Sequence, residues 1–309
     1  IFIQLFACFM KISCYNKFIE KRIHYLGGNR MKKITGLVMT LVALFTLAAC
    51  GGGGDKTADS SNAKSEDQLA AIKKAGVLKV ATSADYAPFE FHTMVDGKDK
   101  IVGADIDLVN AIAKELGVKA EVSDMSFNTV LASLKEGKSD IAISAISATP
   151  ERKEQFDFTD NYYNPPQVVI INKKNQDKFT SLDALKDKNV GAQKGSIQED
   201  VVKTQMKDAK LVSIEKVPNM VIEVNSGSLD AMVVEKTIAE SYVQQNPDLM
   251  IANIDLEASK DEAFAIALPK GSEELQTEIN KIIKKLNDEG KIDEFVKQNH
   301  ELAEKSSEE

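Results

Sequence analysis

Apolar positions along this chain follow two periods: near two over short runs and near 3.6 over longer ones. Val77-Leu78-Lys79-Val80-Ala81 reads as a strand, Lys119 to Val122 as a second and Asp140 to Ser144 as a third. Between them, Asp107 to Leu116 sets Leu108, Ile112 and Leu116 on one helical face and stops at Gly117. Phe127 to Lys135 does the same with Val130, Leu131 and Leu134, and ends near Gly137. A short helix over Asp67 to Lys74 precedes the first strand. This alternation predicts an α/β sheet with helices on its faces.

The pattern then restarts. Gln167 to Asn172, Val190 to Ala192, Leu229 to Val234 and Ala263 to Leu268 read as strands. A serine-capped turn of helix is expected over Ser181 to Lys186, and longer helices over Ser196 to Met206 and Thr237 to Asn246. Glu273 to Asn287 and Ile292 to Gln298 are amphipathic closing helices, and Lys305 to Glu309 is a polar tail. Two successive α/β patterns over about 240 residues are enough for two compact lobes.

Before residue 66 the periodicity fails, and other signals take over. Residues 1–30 mix apolar runs with Cys8, Cys14 and scattered cations. They end in Gly27-Gly28-Asn29-Arg30, whose glycine codons can form a ribosome-binding sequence, so 1–30 is read as upstream DNA translated in frame. Met31 opens a secretion signal over 31–49: Lys32 and Lys33, an apolar run from Ile34 to Leu47, then Ala48-Ala49 before Cys50. The run is shorter than the ~20 residues a permanent span needs. Leu47-Ala48-Ala49-Cys50 resembles a lipobox, in which the cysteine after the cut receives a diacylglycerol. Residues 50–65, with four glycines straight after Cys50, have the composition of a flexible tether.

Charge and chemistry narrow the possibilities. Removing the seven Lys/Arg and one acid of residues 1–49 takes the formal charge from −8 to −14. Such an acidic chain lacks the basic patches of a nucleic-acid binder. Cys50 is the last cysteine, and only His92 and His300 follow it, far apart. Disulfides, a cysteine zinc site and a histidine metal site are therefore not expected, nor is a cofactor.

Of the 39 lysines and arginines only three are arginine, and Arg22 and Arg30 precede the signal. The remaining one closes Ser147-Ala148-Thr149-Pro150-Glu151-Arg152. Arginine is a planar fork that grips a carboxylate with two parallel hydrogen bonds, which lysine cannot do. Gly195-Ser196 follows a strand and opens a helix, whose free N–H groups also suit a carboxylate.

Ordered motifs over nearly all of 66–300 resemble the solute-binding proteins of polar amino acid ABC importers. They are Val80 to Phe91, Gly103-Ala104-Asp105-Ile106-Asp107-Leu108, Asp140 to Arg152, Phe156-Asp157-Phe158-Thr159 with Tyr162-Tyr163, Gln193-Lys194-Gly195-Ser196 and Gly227 to Ala231. The resemblance implies a periplasmic-binding-protein-like fold: two α/β lobes joined by two hinge strands, with a ligand cleft between them. Lobe 1 would be 66–163 with a return over 264–304, and lobe 2 would be 164–263 with the hinges, near Asn164-Pro165-Pro166 and Glu262-Ala263.

By the same resemblance, Arg152 grips the α-carboxylate of a free L-amino acid, Ser147 adds a hydroxyl, and backbone N–H groups near Ala145 and Ile197 assist. Glu235, where relatives more often have aspartate, meets the ammonium; the alternative is a solvated helix-start glutamate. Tyr86 and Phe127 match aromatic pocket walls. Ser83 stands where many relatives carry an aspartate, Ala104 replaces an aromatic, Ile197 replaces a threonine or glycine, and Gln193 replaces the lysine of some glutamine binders. The implied ligand is a polar, arginine-like amino acid. The implied partners are a membrane permease and, through acylated Cys50, the outer face of the cell membrane, with the protein a monomer. A cyclohexadienyl-dehydratase-like enzyme on the same scaffold and an amino-acid sensor are the rival readings. The cleft-side acids open to the enzyme reading are Glu90, Glu235 and Asp85.

Overall fold

The computed structural model describes residues 65–259 and 261–306. The upstream segment, the signal, the lipobox with Cys50, the tether up to residue 64 and the last three residues lie outside them. In chain order the elements are α1 (Ser65–Ala75), β1 (Val77–Thr82), β2 (Asp85–Tyr86), β3 (Glu90–Val95), β4 (Lys98–Val102), α2 (Ala104–Leu116), β5 (Lys119–Asp124) and α3 (Phe127–Lys135). Next come β6 (Ile141–Ala142), α4 (Pro150–Gln155), β7 (Phe156–Phe158), β8 (Gln167–Asn172), β9 (Asn189–Gln193), α5 (Ile197–Gln205), β10 (Lys210–Ile214) and α6 (Val217–Ser226). The chain closes with β11 (Ala231–Glu235), α7 (Lys236–Gln245), β12 (Leu249–Ile251), β13 (Ala267–Pro269), α8 (Glu273–Asp288) and α9 (Lys291–Ser306).

These elements build two five-stranded sheets, ordered β5-β1-β6-β13-β7 and β10-β9-β11-β8-β12, plus a small β2-β3-β4 sheet. In the first, β1 runs parallel to β5 and β6, and β13 runs antiparallel to its neighbours. In the second, β9 runs parallel to β10 and β11, while β8 opposes both β11 and β12. The chain leaves the first sheet after β7 and returns at β13, so it crosses between the sheets twice. The crossings bond to each other: Phe264 N donates to Tyr163 O at 2.8 Å and Tyr162 N to Phe264 O at 2.9 Å. Phe89, Tyr163 and Phe264 stack around this junction, the ring centroids of Phe89 lying 5.1 Å from each of the other two.

The helices form where apolar spacing and end signals agree. In α2, Leu108, Val109, Ile112 and Leu116 are buried, and Gly117 closes the helix in the left-handed conformation. Gly103 starts it at φ 136°, with its Cα so close to the preceding loop that a Cβ would meet Phe89 O at 1.9 Å. This approach lets Ala104 N and Asp105 N bond Pro88 O and Phe89 O, each at 2.9 Å.

Several expectations shift. The strand expected over Asp140 to Ser144 keeps only Ile141–Ala142, because the chain beyond leaves the sheet. The last strand starts at Ala267 rather than Ala263. The turn after Ser181 is a 3-10 helix whose serine side chain makes no capping bond. The β3–β4 hairpin went unread although Asp96-Gly97 is a strong turn signal, both residues having positive φ. Also unread were α4, β10 and α6, the last with a proline in its first turn, where a missing N–H costs nothing.

Candidate functional site

Both sheets present the carboxyl ends of their parallel strands to one narrow cleft. From the first sheet's side, Tyr86, Phe127, Ser144, Ala145, Ser147 and Arg152 line it. From the second come Gln193, Ser196, Ile197, Gln198 and Glu235. Such strand ends, where loops turn into helices, are the usual ligand crevice of open α/β sheets.

Arg152 is set by local sequence. Thr149 caps α4, accepting from Arg152 N at 3.3 Å, and Pro150 starts the helix. The guanidinium then reaches Ser147 O at 2.7 Å and, across the cleft, Gly195 O at 3.1 Å. It lies 5.8 Å from the Phe127 ring centre, a cation–π distance. Burial pulls its pKa down to about 10, partly offset by Asp200 and Glu151, so it stays charged at neutral pH.

Glu235 ends β11, is 2% exposed and sits opposite. Tyr86 OH donates to its Oε2, and Gln198 Nε2 donates to its Oε1 at 2.8 Å. Burial raises its pKa, and these hydrogen bonds work against that rise. This geometry removes the solvated-glutamate alternative.

The other expected residues divide. Ser147 lines the cleft, but its hydroxyl donates to Glu262 O at 3.0 Å. Ala145 lines it at φ 46°, yet its N–H serves Asp105 Oδ2 at 2.9 Å. Ile197 opens α5, so its N–H belongs to the first turn, where the N–H groups have no intrahelical acceptor. Gln193 lines the cleft and donates from Nε2 to Asp85 Oδ1 at 3.2 Å. Ser83 does not line it. It lies one layer behind, with its Oγ 3.3 Å from Asp85 Oδ1 and its N–H on Ser144 Oγ at 3.1 Å.

Sequence reasoning missed Ser144 and Gln198. Gln198 sits two positions past the noted helix start at Ser196, so helix geometry could have placed it near the cleft. The same reasoning named Glu90 among the cleft-side acids but missed its pairing with Asp105 in a layer under Ser144 and Ala145. Glu90 Oε1 accepts from Ser144 Oγ at 2.9 Å, and Asp105 Oδ2 accepts from Tyr162 OH at 2.9 Å. Burial raises both carboxyls, Glu90 further because Asp105 lies beside it. Among the described residues Glu90 Oε2 and Asp105 Oδ1 have no hydrogen-bond partner, and neighbouring buried carboxyls of this kind favour the protonated form of one of them. Asp105 thereby holds Ala145 in its left-handed conformation and shapes the cleft floor.

Such a site can hold a small zwitterion, with a fixed cation on one wall and a buried carboxylate on the other. Among the described residues no group of three His, Cys, Asp or Glu could hold a metal ion.

Comparison with known proteins agrees with this reading. The family model "Bacterial extracellular solute-binding proteins, family 3" matches residues 78–301. The arginine-binding extracellular protein ArtP of Bacillus subtilis is 37% identical over 86% of this chain and 97% of its own. The crystal structure of an amino acid ABC transporter substrate-binding protein from Streptococcus pneumoniae, bound to L-arginine, is 43% identical, with a TM-score of 0.74 over 76% of this chain and 98% of that one. An ancestral amino acid-binding protein, a precursor of cyclohexadienyl dehydratase, is 34% identical, with a TM-score of 0.68 over 74% of this chain and 98% of its own.

Proposed function

For a chain that belongs to the bacterial extracellular solute-binding proteins, family 3, we propose that the cleft takes a free L-amino acid with a cationic, arginine-like side chain. The protein is the extracytoplasmic binding component of an amino acid ABC importer, a transport protein and not an enzyme. The observation that carries the ligand reading is that Arg152 and Glu235 line one cleft from opposite sheets. An α-amino acid bears a carboxylate and an ammonium on one carbon, and burying either unpaired is costly. In this reading Arg152 meets the carboxylate, with the α5 start at Ile197 beside it, and Glu235 meets the ammonium.

Support for a basic side chain comes from the acids Asp85, Glu90, Asp105 and Glu235, all buried at or behind the cleft. The binding of arginine by the two present-day relatives points the same way. Tyr86 and Phe127 would flank the side chain. Hinges at 164–166 and 262–263 would let 66–163 with 264–304 close on the segment between them. Ligand contacts to both sides would bias closure, since only differential affinity shifts such an equilibrium. Anchoring through acylated Cys50 would keep the protein beside its permease.

A thermal-shift screen of the twenty amino acids on the purified protein tests the reading. Arginine is expected to raise the melting temperature most, by an amount that grows with its concentration over its Kd. A largest shift with glutamate or leucine, or no shift with any amino acid, rejects it.

A further inference from the structure

We propose, resting on the reading of the cleft as a site for an arginine-like ligand, that Asp85 makes this site selective for a cationic side chain by acting through Gln193. Gln193 ends β9 and lines the cleft, while Asp85 begins β2 on the opposite side and is 7% exposed. The amide Nε2 of Gln193 donates to Asp85 Oδ1 at 3.2 Å and approaches Glu215 O at 3.5 Å. Both partners can only accept, so the amide has one satisfactory orientation. With its NH2 directed there, its carbonyl Oε1 is the end left for a ligand. Among the described residues, no donor engages Oε1.

The side-chain end of the cleft therefore offers an acceptor with a carboxylate directly behind it. A guanidinium gains from both. A neutral side chain of the same shape keeps only a neutral hydrogen bond, and a carboxylate side chain meets repulsion from both. Ser83 brings no charge of its own; its Oγ bonds Asp85 instead.

Two contacts keep Asp85 in place. Tyr242 OH donates to its carbonyl at 2.9 Å, and Lys216 Nζ lies 3.6 Å from Oδ2. Lys216 only partly cancels the charge. Its distance is too long for a hydrogen bond, and its side chain is 35% exposed, so solvent screens it. Asp85 does not line the cleft, which makes it a positioning residue, and its signature is selectivity rather than affinity alone.

Isothermal titration of the full chain with L-arginine and with L-citrulline, the neutral analogue of similar shape, separates these roles. In Asp85→Asn the preference for arginine over citrulline is expected to shrink by about tenfold or more, the gap between charged and neutral hydrogen bonds, while citrulline affinity stays within about threefold. If arginine and citrulline weaken together, Asp85 merely fastens the two sides of the cleft, and the proposal fails. An unchanged preference also overturns it and leaves the proposed function standing. Wild-type protein that binds no arginine removes the proposed function itself. Should Asp85→Asn not fold, Asp85→Ser, which keeps an oxygen acceptor for Gln193 Nε2 without the charge, carries the same test and must likewise cut the arginine preference.

Discussion

Arg152 suits a carboxylate clamp because its guanidinium is held before any ligand contact. Two carbonyls and the Phe127 face fix its plane, and five donors leave capacity to spare. Lysine in its place keeps the charge and loses the fork. Arg152→Lys is expected to weaken arginine binding by roughly 10- to 150-fold, the loss of a charge-assisted bond, and to leave the ligand-free melting temperature nearly unchanged. Titration calorimetry beside thermal melting reads both, and unaltered affinity rejects the clamp. Asp85 adds a pH dependence. Burial lifts its pKa from 3.8 to about 6 against the pull of Lys216, Gln193, Ser83 and the Val217 N–H, with buried Glu90 as a like charge nearby. The folded protein thus holds a proton there that the unfolded chain has lost between those values. This group's contribution to ligand-free stability is full below the lower value and disappears as pH rises through about 6. A cationic ligand acts in the opposite sense by favouring ionised Asp85. Arginine affinity is therefore expected to fall as pH drops below that value, and less so in Asp85→Asn. Calorimetric titrations across that range test this, and equal pH slopes in the two proteins refute it.

Among the elements, the Gly103 to Leu116 segment does the most to build the site. Gly103 touches the backbone of Phe89, which seats α2 so that Asp105 reaches the Ala145 loop beneath the cleft. Gly103→Ala puts a methyl group inside the Phe89 carbonyl at a φ that L-residues avoid, and is expected to destabilise by more than about 4 kcal/mol. Denaturant unfolding measures this; a loss below about 1 kcal/mol means the loop can shift without consequence. The elements also show what periodicity can and cannot reveal. Helices α2, α3 and α8 were legible because one face of each is apolar at 3.6 spacing. The hairpin β3–β4 and helix α6 were not, since the first breaks the alternation, burying Glu90 and Thr93 while exposing Met94 and all of Lys98 to Lys100, and the second begins Val-Pro with valines throughout. The strand at Asp140 to Ser144 reads longer than it is because its apolar residues stay buried after leaving the sheet.

For the whole molecule, two crossings and two sheets make the cleft a joint product of distant segments. Glu235 and Tyr86, 149 positions apart, share one hydrogen bond. In the proposed reading the lipid at Cys50 tethers this body to the membrane, and no helix among the described residues is long and apolar enough to cross one. Cys50→Ala is expected to move the protein from the membrane fraction to the soluble fraction of cells, and retention with membranes counts against lipid anchoring. The sequence by itself determined the two-part α/β organisation and singled out Arg152, because strand and helix periods are local and because one arginine among lysines stands out in composition; the other seven expected residues that line the cleft came from the family resemblance. Only the tertiary structure decided that Ser83 lies behind the wall, that the Ala145 N–H is taken by Asp105, and that Gln193 is oriented by Asp85. The reason is physical: hydrogen-bond partners are chosen by what packs nearby, and in a site built between two sheets those neighbours come from parts of the chain that no local pattern relates.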